Sequence, residues 1–199
     1  MRSKSFERFA GLAAIVSAIG GVAYGVAFVL LANKLLYSIL MMLGGLLGAV
    51  IMVALYQRLR EVDESLALLA LLIGVVGALG SVAHGGYDLA YVLHPPAVDV
   101  PGVGDVPVLG DPRGLLTFGF TGLSLLTFSA LMARGGQFPK SLGNLGYVLG
   151  ILLVVIYLGR LIIFDPTNII VRIALVAGVA VNTIWFILLG QTLRREWLR

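Results

Sequence analysis

Residues 35–56 read LLYSILMMLGGLLGAVIMVALY, a run with no charged side chain. A hydrocarbon core of about 30 Å is crossed by ~20 apolar residues in a helix. Apolar and polar positions do not alternate here, so the run is a helix and not a barrel strand. It stops at Gln57-Arg58-Leu59-Arg60-Glu61-Val62-Asp63-Glu64-Ser65, a charged elbow. Asp63 or Ser65 is placed to cap whatever helix follows.

Working outward, five more long apolar runs appear, over residues 10–32, 66–94, 114–133, 142–164 and 168–193, three of them with a charged residue inside. The expectation is an all-α polytopic membrane protein. Residues 1–199 form one domain, a six-transmembrane-helix bundle with a proline-rich outer loop between helices 3 and 4. The basic start resembles a signal peptide. The apolar stretch behind it is too long for an h-region of roughly 7–15 residues, so it reads as a retained first span.

Bulk composition agrees. The chain is 59% hydrophobic and 12% charged, whereas soluble domains carry about 25% charged residues. It has no cysteine, which excludes disulfides, thiolate metal sites and cysteine nucleophiles. The net charge of +4 comes without a basic patch interleaved with aromatics, so no nucleic-acid partner is expected. Basic residues on such a chain are topology signals instead. Ten of the 14 Lys and Arg fall on one side, in the termini and the 57–65 and 134–141 loops; the other side's loops hold Lys34 and Arg113, and Arg160 and Arg172 lie within spans. The positive-inside rule puts both termini in the cytoplasm.

The 95–113 loop holds five of the seven prolines and a loose repeat, Asp99-Val100-Pro101, Asp105-Val106-Pro107, Asp111-Pro112. An extended, polyproline-like cover is the expected structure. Calcium is the sharper alternative, but the six-residue spacing matches no EF-hand loop, and no metal is expected. Gly21 with Gly25, Gly44 with Gly48, Gly146 with Gly150, and the ridge Gly74, Gly77, Gly80 have the spacing that lets helices approach closely in lipid.

Polar groups inside the spans are the candidates for function, because ionisable side chains there are costly. His84, Tyr87, Asp88 and Tyr91 share one helix face by their i, i+3, i+4, i+7 spacing. Asp88, Arg160 and Arg172 lie about 6–9 Å below the outer ends of their helices, with His84 deeper at about 15 Å. One reading is an ion pair of Asp88 with either arginine, tying helices 3, 5 and 6 together. The other is an anion-accepting pocket, since one arginine is left over. Histidine titrates near neutral pH, which makes His84 the candidate switch or proton carrier; the plainer role is a hydrogen-bonded histidine inside the bundle. Haem needs two facing ligands, and His94 is on the same helix, so no cofactor is expected.

No catalytic pattern appears: no His-Glu-x-x-His, Gly-x-Ser-x-Gly, paired intramembrane carboxylates or phosphate loop. Ser124 lacks a nucleophile's elbow, and Asn182 reads as glue between helices. No catalytic residue is expected.

Three stretches carry a family resemblance: Arg8-Phe9-Ala10-Gly11-Leu12; Leu55-Tyr56-Gln57-Arg58-Leu59-Arg60 with Leu66-Ala67-Leu68; and Phe138-Pro139-Lys140-Ser141-Leu142-Gly143-Asn144-Leu145-Gly146, with Ile184-Trp185 on the last helix. In these the chain resembles the domain of unknown function 4386 family of small bacterial six-helix membrane proteins. The resemblance implies six spans in a bacterial cytoplasmic membrane and supplies no activity. The expected function is a non-enzymatic accessory subunit, or a binder of a lipid-like or anionic ligand at the outer cluster. A small proton-coupled transporter using His84 and Asp88 is the alternative, and a membrane enzyme using His84 the third. Expected partners are membrane lipids, with other membrane subunits or self-association beside them.

Overall fold

Apolar runs closed by polar or special-geometry residues produce the observed elements. The computed structural model describes residues 4–95, 111–163 and 169–195, with the side chains of 171, 172 and 195 outside that description. Six helices follow one another: α1 (Lys4–Gly25), α2 (Lys34–Leu59), α3 (Glu64–Leu93), α4 (Thr121–Gly135), α5 (Lys140–Ile162) and α6 (Ile169–Arg195). Among the described residues there is no strand. All six stretches are long and apolar enough to cross a membrane, which marks a multi-pass membrane protein. Helices run past the apolar runs because their ends can carry charge into water: α1 begins at Lys4 and takes in Glu7 and Arg8.

The caps are local. Asn33 accepts the Leu36 amide at 3.0 Å and starts α2. At the elbow Asp63, and not Ser65, accepts the Leu66 amide at 3.1 Å and starts α3. Gly136, at φ +64°, ends α4 in the left-handed conformation that glycine adopts without strain. Two stretches widen into π-helix: Val26–Leu30 prolongs α1, and Leu115–Phe120 leads into α4.

Each helix packs on its neighbours in sequence, and α6 returns to α1, so the six form a closed ring. Its centre is filled by Ile51, Leu55, Phe128, Trp185 and Leu189, none more than 0% exposed. The outer surface is apolar as well, as at Leu72, Ile151 and Ile173. Lipid supplies no hydrophobic drive for helices to associate, so close packing must do that work. Glycines permit it. On α1 and α6, Gly11 and Gly190 each lie against the other's carbonyl; on α4 and α5, Gly122 and Gly150 do the same. Gly77 and Gly80 of α3 leave room for Thr121 and Leu116. Most of the sequence-spaced glycines therefore face neighbours within this chain. Gly44 is an exception and faces open space, while Gly45 beside it makes the approach to α3.

That difference gives a test. A Cβ at Gly45 would sit 2.5 Å from the Ala78 carbonyl oxygen, and one at Gly44 would meet nothing within 4 Å. Gly45→Ala is expected to destabilise the bundle by about 1–3 kcal/mol through overpacking. Gly44→Ala is expected to leave melting unchanged or slightly raised, because alanine is the better helix former. Melting curves in one detergent compare the two directly.

The end carrying both termini is bolted by polar contacts. Arg58, 1% exposed, donates through Nε and Nη2 to the Glu7 carboxylate at 3.3 and 3.1 Å. Its guanidinium also lies over the Phe138 ring, 5.5 Å from the centroid. Arg134 pairs with Asp63 at 3.7 Å, and Gln137 donates to Glu61 at 3.2 Å, joining the α2–α3 elbow to the α4–α5 loop. Trp185 Nε1 donates to the Leu142 carbonyl at 3.1 Å, seated where Gly146 has no side chain.

Candidate functional site

Polar side chains from five stretches of chain meet at the opposite end of the ring. α1 contributes Tyr24, which stacks on Phe28 at 5.8 Å; Phe28 in turn meets Tyr37 of α2 edge-on at 5.2 Å. α3 contributes His84 and Asp88, one turn apart. The chain entering α4 contributes Asp111, and α5 contributes Arg160.

Asp111 is the hub. It is 0% exposed and precedes Pro112, so it stands as the cap of the turn that starts the fourth span. Oδ1 accepts the Leu116 amide at 2.7 Å. Oδ2 accepts the Thr117 hydroxyl at 2.6 Å and its amide at 3.3 Å, and His84 Nδ1 lies 3.0 Å away. Burial would push the Asp111 carboxyl up, but the hydrogen bonds from His84, Thr117 and Leu116 hold it below the ordinary carboxylate range. An ionised carboxylate only accepts, so the proton of this bond sits on His84 Nδ1. That leaves Nε2 pointing to the other side of the ring, where the Asp88 carboxylate stands at 3.9 Å. Gly114, at φ +78°, completes the turn: a Cβ there would lie 2.5 Å from the Phe118 ring and 3.1 Å from Arg160 Nη1. Arg160 lies over that same ring, 5.4 Å from its centroid.

Electrostatics tie the members together. Arg160 feels Tyr24, Asp111 and Asp88, and Asp88 feels His84, Lys34 and Arg160. The structure thus gathers His84, Asp88 and Arg160 into one cluster. Tyr91 stands at its edge, with the Lys34 ammonium over its ring at 5.8 Å. Tyr87 lies on the exposed side of α3. Arg172 is on α6, and its side chain lies outside the described residues. Asp88 forms no ion pair with Arg160 among the described residues. Its carboxylate lies 3.9 Å from His84 Nε2 instead.

Sequence reasoning missed Asp111, Thr117, Tyr24, Tyr37 and Lys34 as members of the site. Asp111 did carry a signal: an Asp followed by Pro at the start of an apolar run is a helix-start pattern. For the calcium alternative, Asp99 and Asp105 lie outside the described residues, and both oxygens of Asp111 already accept hydrogen bonds. Among the described residues no group of three or more His, Asp or Glu is placed to hold a metal ion. Asp88 and Asp111 flank opposite nitrogens of His84 and do not converge.

No family model, curated protein or solved structure matches this chain.

Proposed function

We propose that the chain is a non-enzymatic membrane protein that binds an anionic, lipid-like ligand at the end opposite its termini. Arg160 is the observation that supports this. It rests on the Phe118 face, beside Tyr24 and Asp88, and no carboxylate forms an ion pair with it among the described residues. A guanidinium so held keeps its fork of N–H donors for phosphate or carboxylate oxygens. Asp88 nearby suits a hydroxyl or amine on the same headgroup. The Lys and Arg asymmetry supports an orientation with both termini in the cytoplasm and this site facing outward, in the cytoplasmic membrane of a bacterium. Such a protein would serve as an accessory subunit that presents or senses the ligand.

Dodecyl phosphate in a neutral detergent tests the site. Wild type is expected to bind it with a rise in melting temperature, and Arg160→Gln to bind at least about tenfold more weakly, the loss of one charge-assisted pair. Equal binding by both, or none by wild type, overturns the proposal.

The His84 geometry favours a second function, proton-coupled transport. Asp111 fixes Nδ1–H, which directs Nε2 toward the Asp88 carboxylate 3.9 Å away. A proton flux in vesicles that is abolished by both His84→Asn and Asp88→Asn would favour transport over simple binding.

A further inference from the structure

The end of the bundle that carries both termini has a groove of about 400 Å³ between the start of α1 and the end of α6, lined by Ser5, Arg8, Phe9, Leu12 and Arg194. We infer that it is a second binding site, for the phosphate of an anionic phospholipid. It shares no residue with the Arg160 cluster.

Two arginines from two different helices line this groove, and among the described residues no acidic side chain does. Glu7, the nearby carboxylate on α1, is committed to Arg58 at 3.1 Å. The seam itself positions Arg194. Gly11 and Gly190 bring α1 and α6 together here, and the Arg194 side chain runs across Gly11, its Cγ only 2.7 Å from where a Cβ would stand. Its stem is thereby laid along the seam, and the residue lines the groove. Ser5 and Arg8 make further contacts of their own. A guanidinium has five N–H donors, so Arg8 can take a phosphate oxygen alongside an existing neighbour.

The apolar part identifies the source of the phosphate. Phe9 and Leu12 line the groove and are 53% and 51% exposed; Val16 and Ile19 continue the same face of α1 at 45% and 67%. From Phe9 to Ile19 this track is about 15 Å long at the helical rise, close to half of a hydrocarbon core of about 30 Å. A phosphate held at its head with acyl chains along it has the dimensions of one leaflet. Free phosphate would use the arginines and leave the track unused. A net anionic headgroup is specified, because a choline or ethanolamine would bring a cation toward two arginines. Basic pockets between transmembrane helices bind anionic headgroups by the same physics.

The test is direct binding of phosphatidylglycerol to the purified full chain, with phosphatidylcholine as the comparison and native mass spectrometry as the readout. Wild type is expected to retain phosphatidylglycerol at least about tenfold better than phosphatidylcholine. Arg8→Gln with Arg194→Gln is expected to abolish that preference, and Leu12→Ser to weaken retention of both lipids. Lys140→Gln, which removes an exposed charge of α5 that belongs to neither site, is expected to leave the preference unchanged, which separates the groove from a general effect of net charge. Arg194→Gln alone should lose part of the preference, and it serves if the double variant does not fold. An unchanged preference in the double variant or in Arg194→Gln alone overturns the inference. So does full displacement of the lipid by millimolar inorganic phosphate, which would make the groove a free-phosphate site.

Discussion

Arg58→Ala is expected to lower the stability of the bundle by about 3–5 kcal/mol, the usual cost of stripping one partner from a buried ion pair. Arg58 is 1% exposed and sits where α1, α2 and the α4–α5 loop converge, bonded twice to Glu7 and lying over Phe138. Its removal leaves the Glu7 carboxylate, 13% exposed, without this partner and empties the space beside the Phe138 ring. Glu7→Gln should cost less, because an amide oxygen still accepts one of the two bonds. Glu7→Leu combined with Arg58→Met should recover most of the loss, since apolar replacement of a whole buried pair is often neutral. Melting in detergent reads all four proteins. A harmless Arg58→Ala would mean that the residue acts only as a surface charge.

Asp111→Ala should be equally damaging at the other end, and for a different reason. One carboxylate receives the Leu116 and Thr117 amides, the Thr117 hydroxyl and His84. Each donor left unmet in a buried site costs about 1–3 kcal/mol, with the sum reduced by relaxation. A net loss of about 3–5 kcal/mol is expected, together with weaker ligand binding, because the turn that carries Phe118 under Arg160 is no longer held. Asp111→Asn should fall between, since its amide nitrogen cannot accept. The pH dependence has a definite sign. The folded carboxyl lies below its unfolded value of about 3.9, so its contribution is complete above that pH and disappears as pH falls through the folded value. The gap between wild type and Asp111→Asn should therefore narrow in acid. A constant gap down to the acid limit of the assay would sink the hub role.

Six helices were legible because a span leaves an unmistakable record: uninterrupted apolar residues ended by charge. The glycine seams were legible in part. Spacing marked Gly146 and Gly150 correctly as a packing pair, yet it could not tell Gly44 from Gly45, since helix phase relative to an unknown neighbour decides which one faces α3. His84 stood out as an ionisable group within a span. Its partner did not, because Asp111 is 27 residues away across a proline-rich loop and only the fold brings the two together. Arg58 was counted as a loop charge that sets orientation. Nothing in its neighbourhood announced that Glu7 would reach it from 51 residues away. Depth along the helices did suggest that Asp88 and Arg160 share a level. It did not determine the pairing, because depth is one coordinate, and Asp88 instead leans to His84 on its own helix.

The two widened turns have a consequence for how insertions and deletions would register in this protein. A π-helical stretch is an α-helix with one residue too many, accommodated as a bulge. Both stretches, Val26–Leu30 and Leu115–Phe120, lie at the Arg160 end. Loss of one residue from 115–120 would let the bulge collapse into ordinary α-helix without breaking the span. Everything preceding it would then turn by about 100° relative to α4, the angle of one residue in a 3.6-residue turn. Asp111 would swing away from His84 while the membrane anchor stayed intact. A single-residue gap inside an apolar run usually passes for harmless drift. In this helix it would disconnect the polar hub and leave hydropathy unchanged.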